Sequence, residues 1–466
     1  MRRTALVVLL LAAAAVVSGR ASQGPAVDPA KVDAVFSRWT TSTPGCSVGA
    51  SVKGKVVVSK AYGMADLEHD VPNTPDTIFE AGSVSKQFTA AAMLLLAREG
   101  KLSFDDPVRK YIPELPEYGV PLTIRHMLNH TSGLRDWGAV AGIAGSPRTT
   151  RVYTHAHVLD IVSRQKSLNF TPGAQYSYSN TGYNLSAIIV SRVSGMSFAE
   201  FSSQRLFRPL GMTRTSWRDD FTRIVKDRAI AYEQTAQGFR QEMPFENVHG
   251  NGGLLTTVGD LLKWNENFVT PVVGDRAFLA EQQKVGVFND GRPGTYALGL
   301  VVSTFRGQNE VGHSGSTAGY RAHLVRYPDQ GVSVAVLCNA STGQATVYAR
   351  AVSELLMPGA FAAPPTPARP QPPVQPLRPG ADELRALAGT YVSDEAETTF
   401  TLALNGESLV LHRRPDTNIR LVATATKDVF QAAGLGSTTF RRDSAGNVTA
   451  LSVGQERVFD LRFVRR

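Results

Sequence analysis

Residues 87–97 are apolar almost without interruption, the pattern of a helix buried on every side rather than one with a wet face. Gly82 opens the approach to it, and Gly100 suits the left-handed C-cap that would close it. Elsewhere the pattern shortens. Residues 46–51 and 56–61 are β-prone runs on either side of Lys53-Gly54-Lys55, which predicts a hairpin. Residues 321–327 and 332–337 repeat the pattern around Pro328-Asp329-Gln330-Gly331. Between these two pairs the periodicity is helical. It predicts helices over 124–129, 155–165, 180–193 with Gly195 as the stop, and 254–268 with Thr256 and Thr257 as caps. Strands at both ends with helices inserted between them predict one antiparallel sheet built from both ends. Helices flank it, and a helical subdomain bulges from its middle. This α+β unit is expected over residues 28–360.

Eight prolines between residues 363 and 380 mark an extended, semi-rigid linker, set at 361–380. Beyond it the period falls to two. Phe400, Leu402 and Leu404 face one way; Thr399, Thr401 and Ala403 face the other. Asn405-Gly406 and Gly446-Asn447 are turn signals. About eight short strands over 381–466 predict a C-terminal antiparallel β-barrel.

Composition changes the picture mainly at the N-terminus. Arg2 and Arg3 precede an apolar stretch over residues 5–17, followed by small residues near Gly19–Ser22. Residues 1–21 therefore read as a cleaved signal peptide, its apolar stretch over 5–17 too short to span a bilayer. A periplasmic or secreted protein without a transmembrane span is expected. The formal charge of +9 is partly that leader, and residues 381–466 carry eleven basic and eleven acidic side chains. No Lys/Arg run interleaved with aromatics points to nucleic acid. His155 and His157 are two apart, off the spacing of a helical metal pair, and no H-E-x-x-H occurs, so neither metal nor cofactor is expected.

The candidate chemistry starts at Ser83-Val84-Ser85-Lys86. On a helix, positions i and i+3 share a face, which sets the lysine amine against the Ser83 hydroxyl. A serine needs such a base, and a lysine serves if its surroundings lower its pKa. Ser163-Arg164-Gln165-Lys166 has the same spacing, but it ends a helix without a glycine turn and reads as a solvated face. Tyr178-Ser179-Asn180 stands before a predicted helix. Its phenol could lose a proton beside a lysine and its amide could hold a substrate; equally, it could be a polar turn capping that helix. His313-Ser314-Gly315-Ser316 precedes the strand pair at 321–337. It could offer the Ser316 N–H as an oxyanion donor, or simply be a loop with a satisfied histidine. Gly250-Asn251-Gly252-Gly253 lacks the P-loop lysine and reads as close packing near the site.

The set S-x-x-K, Y-x-N and H-x-G, in that order, resembles the serine β-lactamase and penicillin-recognising hydrolases: class C β-lactamases, DD-peptidases, D-aminopeptidases and CubicO-group peptidases. The stretches IRHMLNHTSGL (124–134), TPGAQYSYSNTGY (171–183), PLGMT (209–213) and GGLLTTVGDLL (252–262) are similar to that family's wording. The likeness covers roughly residues 30–358, and the C-terminal barrel resembles lipocalin-like domains.

The resemblance implies a β-lactamase/transpeptidase-like fold. It implies Ser83 as the acylated nucleophile, Lys86 and Tyr178 as shared base and acid, and Asn180, His313, Gly315 and Ser316 as substrate-binding positions. The backbone N–H groups of Ser83 and Ser316 would form the oxyanion hole. The implied partner is a small peptide, D-amino-acid derivative or other acyl substrate. A true β-lactamase, or a slowly acylated sensor or ligand-binding scaffold, are the rival functions. β-Lactamases usually carry Lys-Thr-Gly where this chain has His313-Ser314-Gly315, and a histidine is largely neutral at pH 7. The barrel carries none of these residues and is expected to be dispensable for acylation. In the resembled fold, the strands holding Cys46 and Cys338 are antiparallel neighbours. Two outcomes stay open: a disulfide, or two buried thiols turned apart by a one-residue register offset.

Overall fold

Cys46–Val52 is buried along six of its seven residues because it lies inside a sheet covered on both faces. The computed structural model describes residues 27–365 and 375–466; the expected signal peptide and the middle of the linker lie outside them. Six antiparallel strands run in the order Val301–Phe305, Gln308–Thr317, Tyr320–Tyr327, Val332–Cys338, Cys46–Val52, Lys55–Tyr62. The first and last strand pairs of the unit lie side by side, joined where Cys46–Val52 pairs with Val332–Cys338, so one sheet is built from both ends as the pattern predicts. Val48, Ala50, Val334 and Val336 pack one face against Val32, Phe36, Ala349 and Val352 of the helices Pro29–Val35 and Ala345–Leu356 and the residues beside them. Leu324, Ala335 and Leu337 pack the other face against Val258 and Leu261 of Val258–Glu266. The helical subdomain carries Ile124–Leu128, Trp137–Ile143, His155–Ser163 and Asn180–Ser194. Gly195 closes the last of these at φ 72°, a left-handed C-cap.

Two predicted elements differ. Residues 254–256 are a strand, not the start of a helix. Leu254–Thr256 pairs with Phe79–Glu80 on one side and Ser216–Trp217 on the other, and the helix begins only after the Thr257 cap. A fully buried apolar run fits either state, and here tertiary pairing decides it. His313 lies within the Gln308–Thr317 strand rather than in a loop before one.

Residues 46 and 338 are directly paired across the sheet, and the structure bonds them: Cys46–Cys338 has a Cα separation of 4.0 Å. The register offset that would part them does not occur. The bond spans a sequence separation of 292 residues across the N-terminal unit, at the top of the loop-entropy range. Removing it with Cys46→Ala plus Cys338→Ala is expected to cost about 2–5 kcal/mol in denaturant unfolding. Alkylation of two cysteines in unfolded, unreduced protein would contradict the bond itself.

The C-terminal unit is a closed barrel of eight antiparallel strands, from Gly389–Ser393 to Val458–Arg465. Phe400, Leu402, Leu411, Phe440, Leu461 and Phe463 fill its interior, as eight strands allow. A short helix, Ala381–Leu387, adds Leu384 and Leu387 to that core; its seven residues left no clear period in the sequence. The barrel does not stand apart. Val140 and Ile143 of Trp137–Ile143 join its core. The buried Arg135 guanidinium pairs with Glu395 at 3.0 Å and donates to the Asp460 carbonyl at 3.0 Å.

Candidate active site

Ser83 sits in a tight turn, Gly82–Ser85, that feeds directly into the buried helix Lys86–Arg98. The strand Phe79–Glu80 leads into this turn, held by a bidentate pair between Glu80 and the buried Arg218 at 2.8 and 3.1 Å. Two glycines let the turn touch the sheet. Gly82 has φ 51°, and a Cβ there would lie 2.6 Å from the Ser316 nitrogen. A Cβ on Gly315 would lie 2.0 Å from the Ala81 carbonyl oxygen. Only residues without side chains permit this approach. It brings the Ser316 backbone beside Ser83. Val301–Phe305 pairs only with residues 308–312, so the segment from His313 to Thr317 keeps one strand neighbour and faces the cleft with its other edge.

The Lys86 side chain is fully buried. Its Nζ lies 3.0 Å from Ser83 Oγ, 2.9 Å from Asn180 Oδ1 and 2.7 Å from the Asn251 carbonyl oxygen. Burial pushes its pKa well below the usual lysine value; Asp136 opposes this, and the cations Arg457 and Arg148 add to it. The glycine-rich loop is thus the close packing that the sequence suggested, with a further role: it offers the Asn251 carbonyl to Lys86. The loop is pinned by Thr89 Oγ1 donating to the Gly250 carbonyl at 2.7 Å and Asn184 Nδ2 donating to Asn251 Oδ1 at 2.6 Å.

Tyr178 lies beside this pair, its ring 4.8 Å from Lys86 Nζ, and it lines the cleft together with Ser83. The expected loss of its proton beside a lysine is corrected here. Burial pushes the phenol well above its ordinary value, and the neighbouring Ser83 hydroxyl and Arg457 only partly offset it. Asn180 opens the helix Asn180–Ser194, its backbone N–H donating to Asp136 Oδ2 at 2.8 Å. His313 is 5% exposed. Its Nδ1 is 2.5 Å from the Ser314 carbonyl oxygen, and its Nε2 is 2.9 Å from the Tyr296 hydroxyl. The carbonyl can only accept, so Nδ1 carries the proton and Nε2 accepts from Tyr296. Burial, with Lys86 nearby, lowers its pKa to about 3, so it is neutral across the working range.

These side chains line one cleft of about 680 Å³, which includes Ser83, Tyr178, Asn180, His313, Gly315 and Ser316. All predicted site residues are therefore at or beside it, with Lys86 in its wall. Sequence reasoning missed Asp136, Tyr296, and two residues of the barrel, Glu456 and Arg457, which also line the cleft. Asp136 follows the HTSGL stretch and could have been suspected; nothing near Arg457 marks it. The decoy Ser163 donates its hydroxyl to the Asp160 carbonyl at 2.7 Å at the end of its helix. His155 is bonded to the His249 backbone and His157 to Thr154.

A family model described as Beta-lactamase matches residues 30–356. The chain belongs to the beta-lactamase family. It is 29% identical over 360 residues to a D-aminopeptidase of Gluconobacter oxydans (strain 621H), an overlap covering 76% of this chain and 63% of that protein. It is also 29% identical over 315 residues to a penicillin-binding protein of Bacillus subtilis (strain 168), covering 63% of this chain and 67% of the relative. The chain thus spans about three fifths of the length of that D-aminopeptidase. The structure of an octameric penicillin-binding protein homologue from Pyrococcus abyssi superposes with a TM-score of 0.63 at 25% identity, covering 94% of this chain and 100% of that one. The shared architecture is the β-lactamase/transpeptidase-like fold.

Proposed function

We propose that this family member is a secreted serine hydrolase that works through an acyl-Ser83 intermediate on peptide-like substrates, D-amino-acid derivatives or esters. The observation that carries the proposal is the environment of Lys86 Nζ. Two of its three neighbours, Asn180 Oδ1 and the Asn251 carbonyl, can only accept hydrogen bonds. A neutral amine has two hydrogens, and these two acceptors take both. Its lone pair is then left for the third neighbour, the Ser83 hydroxyl.

In this mechanism Lys86 takes the Ser83 proton as Oγ attacks the substrate carbonyl carbon. The resulting oxyanion lies between the backbone N–H groups of Ser83 and Ser316. Tyr178, kept protonated by burial, hands its proton to the leaving amine or alkoxide and recovers one from the Lys86 ammonium. Collapse of the intermediate breaks the bond to the leaving group and leaves the acyl ester on Ser83. Water then attacks that ester, giving up a proton through the same pair and releasing the acid. Asn180 holds Lys86 and presents its amide to the substrate. His313 and Gly315 shape the strand edge along which the substrate lies.

Two observations support the choice of substrate class. The relatives include a D-aminopeptidase. His313, neutral and engaged at both nitrogens, supplies no cation where a β-lactam carboxylate would seek one. Export is supported by the leader-like N-terminus and by the disulfide, which persists in oxidising compartments. Among the described residues no helix is long and apolar enough to cross a membrane. We assign residues 28–360 to the hydrolase unit, 361–380 to the linker and 381–466 to the barrel.

The test is one panel of D-alanyl peptides, D-aminoacyl anilides, short esters and a chromogenic cephalosporin. Ser83-dependent turnover of anilides, peptides or esters is expected to exceed that of the cephalosporin. Faster turnover of the cephalosporin would make the protein a β-lactamase. A single acylation that then stalls would make it a sensor.

A further inference from the structure

The barrel reaches into the cleft through the turn between its last two strands, Val448–Gln455 and Val458–Arg465. The backbone of this turn is tied to the catalytic unit on several sides. The Arg457 carbonyl accepts from the Asp136 backbone N–H at 3.3 Å and from Asn169 Nδ2 at 3.2 Å. The Glu456 carbonyl accepts from Ser177 Oγ at 3.1 Å, and the Phe459 N–H donates to Asn169 Oδ1 at 3.0 Å. The Arg457 guanidinium is thereby set over the Tyr178 ring, 4.8 Å from its centroid.

That guanidinium is held in place yet unspent. It makes no hydrogen bond among the described residues. Its nearest carboxylate oxygen, Asp136 Oδ2, is 3.9 Å away and already accepts from the Asn180 N–H at 2.8 Å. The arginine side chain remains 39% exposed. The other arginines of the cleft are engaged to different degrees, and neither lies over Tyr178. Arg148 forms a bidentate pair with Glu246. Arg321 spends its Nη1 on the carbonyls of Ala318 and Tyr320, both at 2.7 Å, which ties it to the far end of the strand edge rather than to Tyr178. Lys86, a neutral amine in this reading, offers no charge to a substrate carboxylate. A planar guanidinium with free donors, stacked on an aromatic ring, recognises a carboxylate in a bidentate manner.

We propose that Arg457 is a specificity-determining residue, supplied by the barrel, that binds a carboxylate of the substrate acylating Ser83. This rests on the serine-hydrolase reading above. It gives the cleft the cation that His313 does not provide, and it makes the barrel part of the substrate site rather than a detachable module. The exposed Glu456 beside it faces the same opening and discourages a second carboxylate there.

The probes are mono(4-nitrophenyl) esters of a series of dicarboxylic acids of increasing chain length, each compared with its ω-methyl ester. In the unaltered protein, kcat/KM is expected to favour the free acid over its methyl ester for at least one chain length. The preference should appear in KM and shrink as ionic strength rises. Arg457→Gln is expected to lower the acid-to-methyl-ester ratio by about 10- to 100-fold, and Arg457→Lys should retain part of it. An unaltered protein that prefers no free acid overturns the inference, whatever the variants do. So does an Arg457→Gln protein in which both esters slow equally, because the arginine would then act on Tyr178 or on the turn alone. If neither ester acylates Ser83, the serine-hydrolase reading itself fails, and the inference with it.

Discussion

Replacing Ser83 by alanine is expected to abolish covalent labelling by a serine-directed phosphonate and to lower turnover by at least about 10⁴-fold. The size of the effect follows from position. Ser83 Oγ lies 3.0 Å from the buried Lys86 amine and shares the cleft with the half-buried Tyr178 phenol. Its turn is fixed by two glycine contacts that no other residue type could make. Ser163→Ala, in the second S-x-x-K, is expected to leave both readouts as they are, because that hydroxyl is bonded to its own helix. Peptide mapping after labelling should find the added mass on the tryptic peptide holding Ser83. A label that persists in the Ser83→Ala protein would refute the assignment.

How much of this was legible in the chain differs element by element. Residues 87–97 announced a buried helix because burial on all sides removes the polar stripe, and the helix Lys86–Arg98 is the result. Barrel strands were legible because one face is wet and the other dry, a contrast written into Phe400, Leu402 and their neighbours. Residues 254–256 carried no such contrast. They are buried on both faces, so only the partners at residues 79–80 and 216–217 decide between strand and helix. The candidate motifs that the cleft brings together were legible because the proposed chemistry needs serine, lysine and tyrosine at fixed local spacing. Arg457 was not, since its place in the cleft depends on a turn of one domain docking beside Tyr178 of another, roughly 280 residues earlier. The linker suggested separation, but Val140 and Ile143 in the barrel core and the buried Arg135–Glu395 pair argue for a single body. The phenol was misjudged for a similar reason. Proximity to Lys86 was visible in the motifs, whereas burial, which dominates its titration, is a property of the folded cleft.

Lys86→Met and Tyr178→Phe are each expected to lower kcat/KM by about 10³-fold or more, and the double variant by little beyond the larger single loss, because coupled groups are not additive. The coupling is physical. In the proposed mechanism the proton leaving Ser83 goes to Lys86, and the one reaching the leaving group comes from Tyr178. With either missing, the relay is open and the other group has nothing to exchange with. Losses that sum in the double variant would mean two independent roles and would remove the relay. The protonation state of Lys86 can be read separately from stability. Its folded pKa is lowered by burial, whereas in the unfolded chain it returns to about 10.4. Between those two values the unfolded state binds a proton that the folded state does not. Stability contributed at this site therefore rises with pH, by up to about 1.4 kcal/mol per unit, and is lowest once pH falls below the folded pKa. Lys86→Met has no such group. The unfolding free energy of the unaltered protein minus that of Lys86→Met should climb from neutral pH towards pH 9, as measured by denaturant titration. A flat difference would mean that Lys86 stays an ammonium in the folded protein, hydrogen-bonded to all three of its neighbours and unable to accept the Ser83 proton.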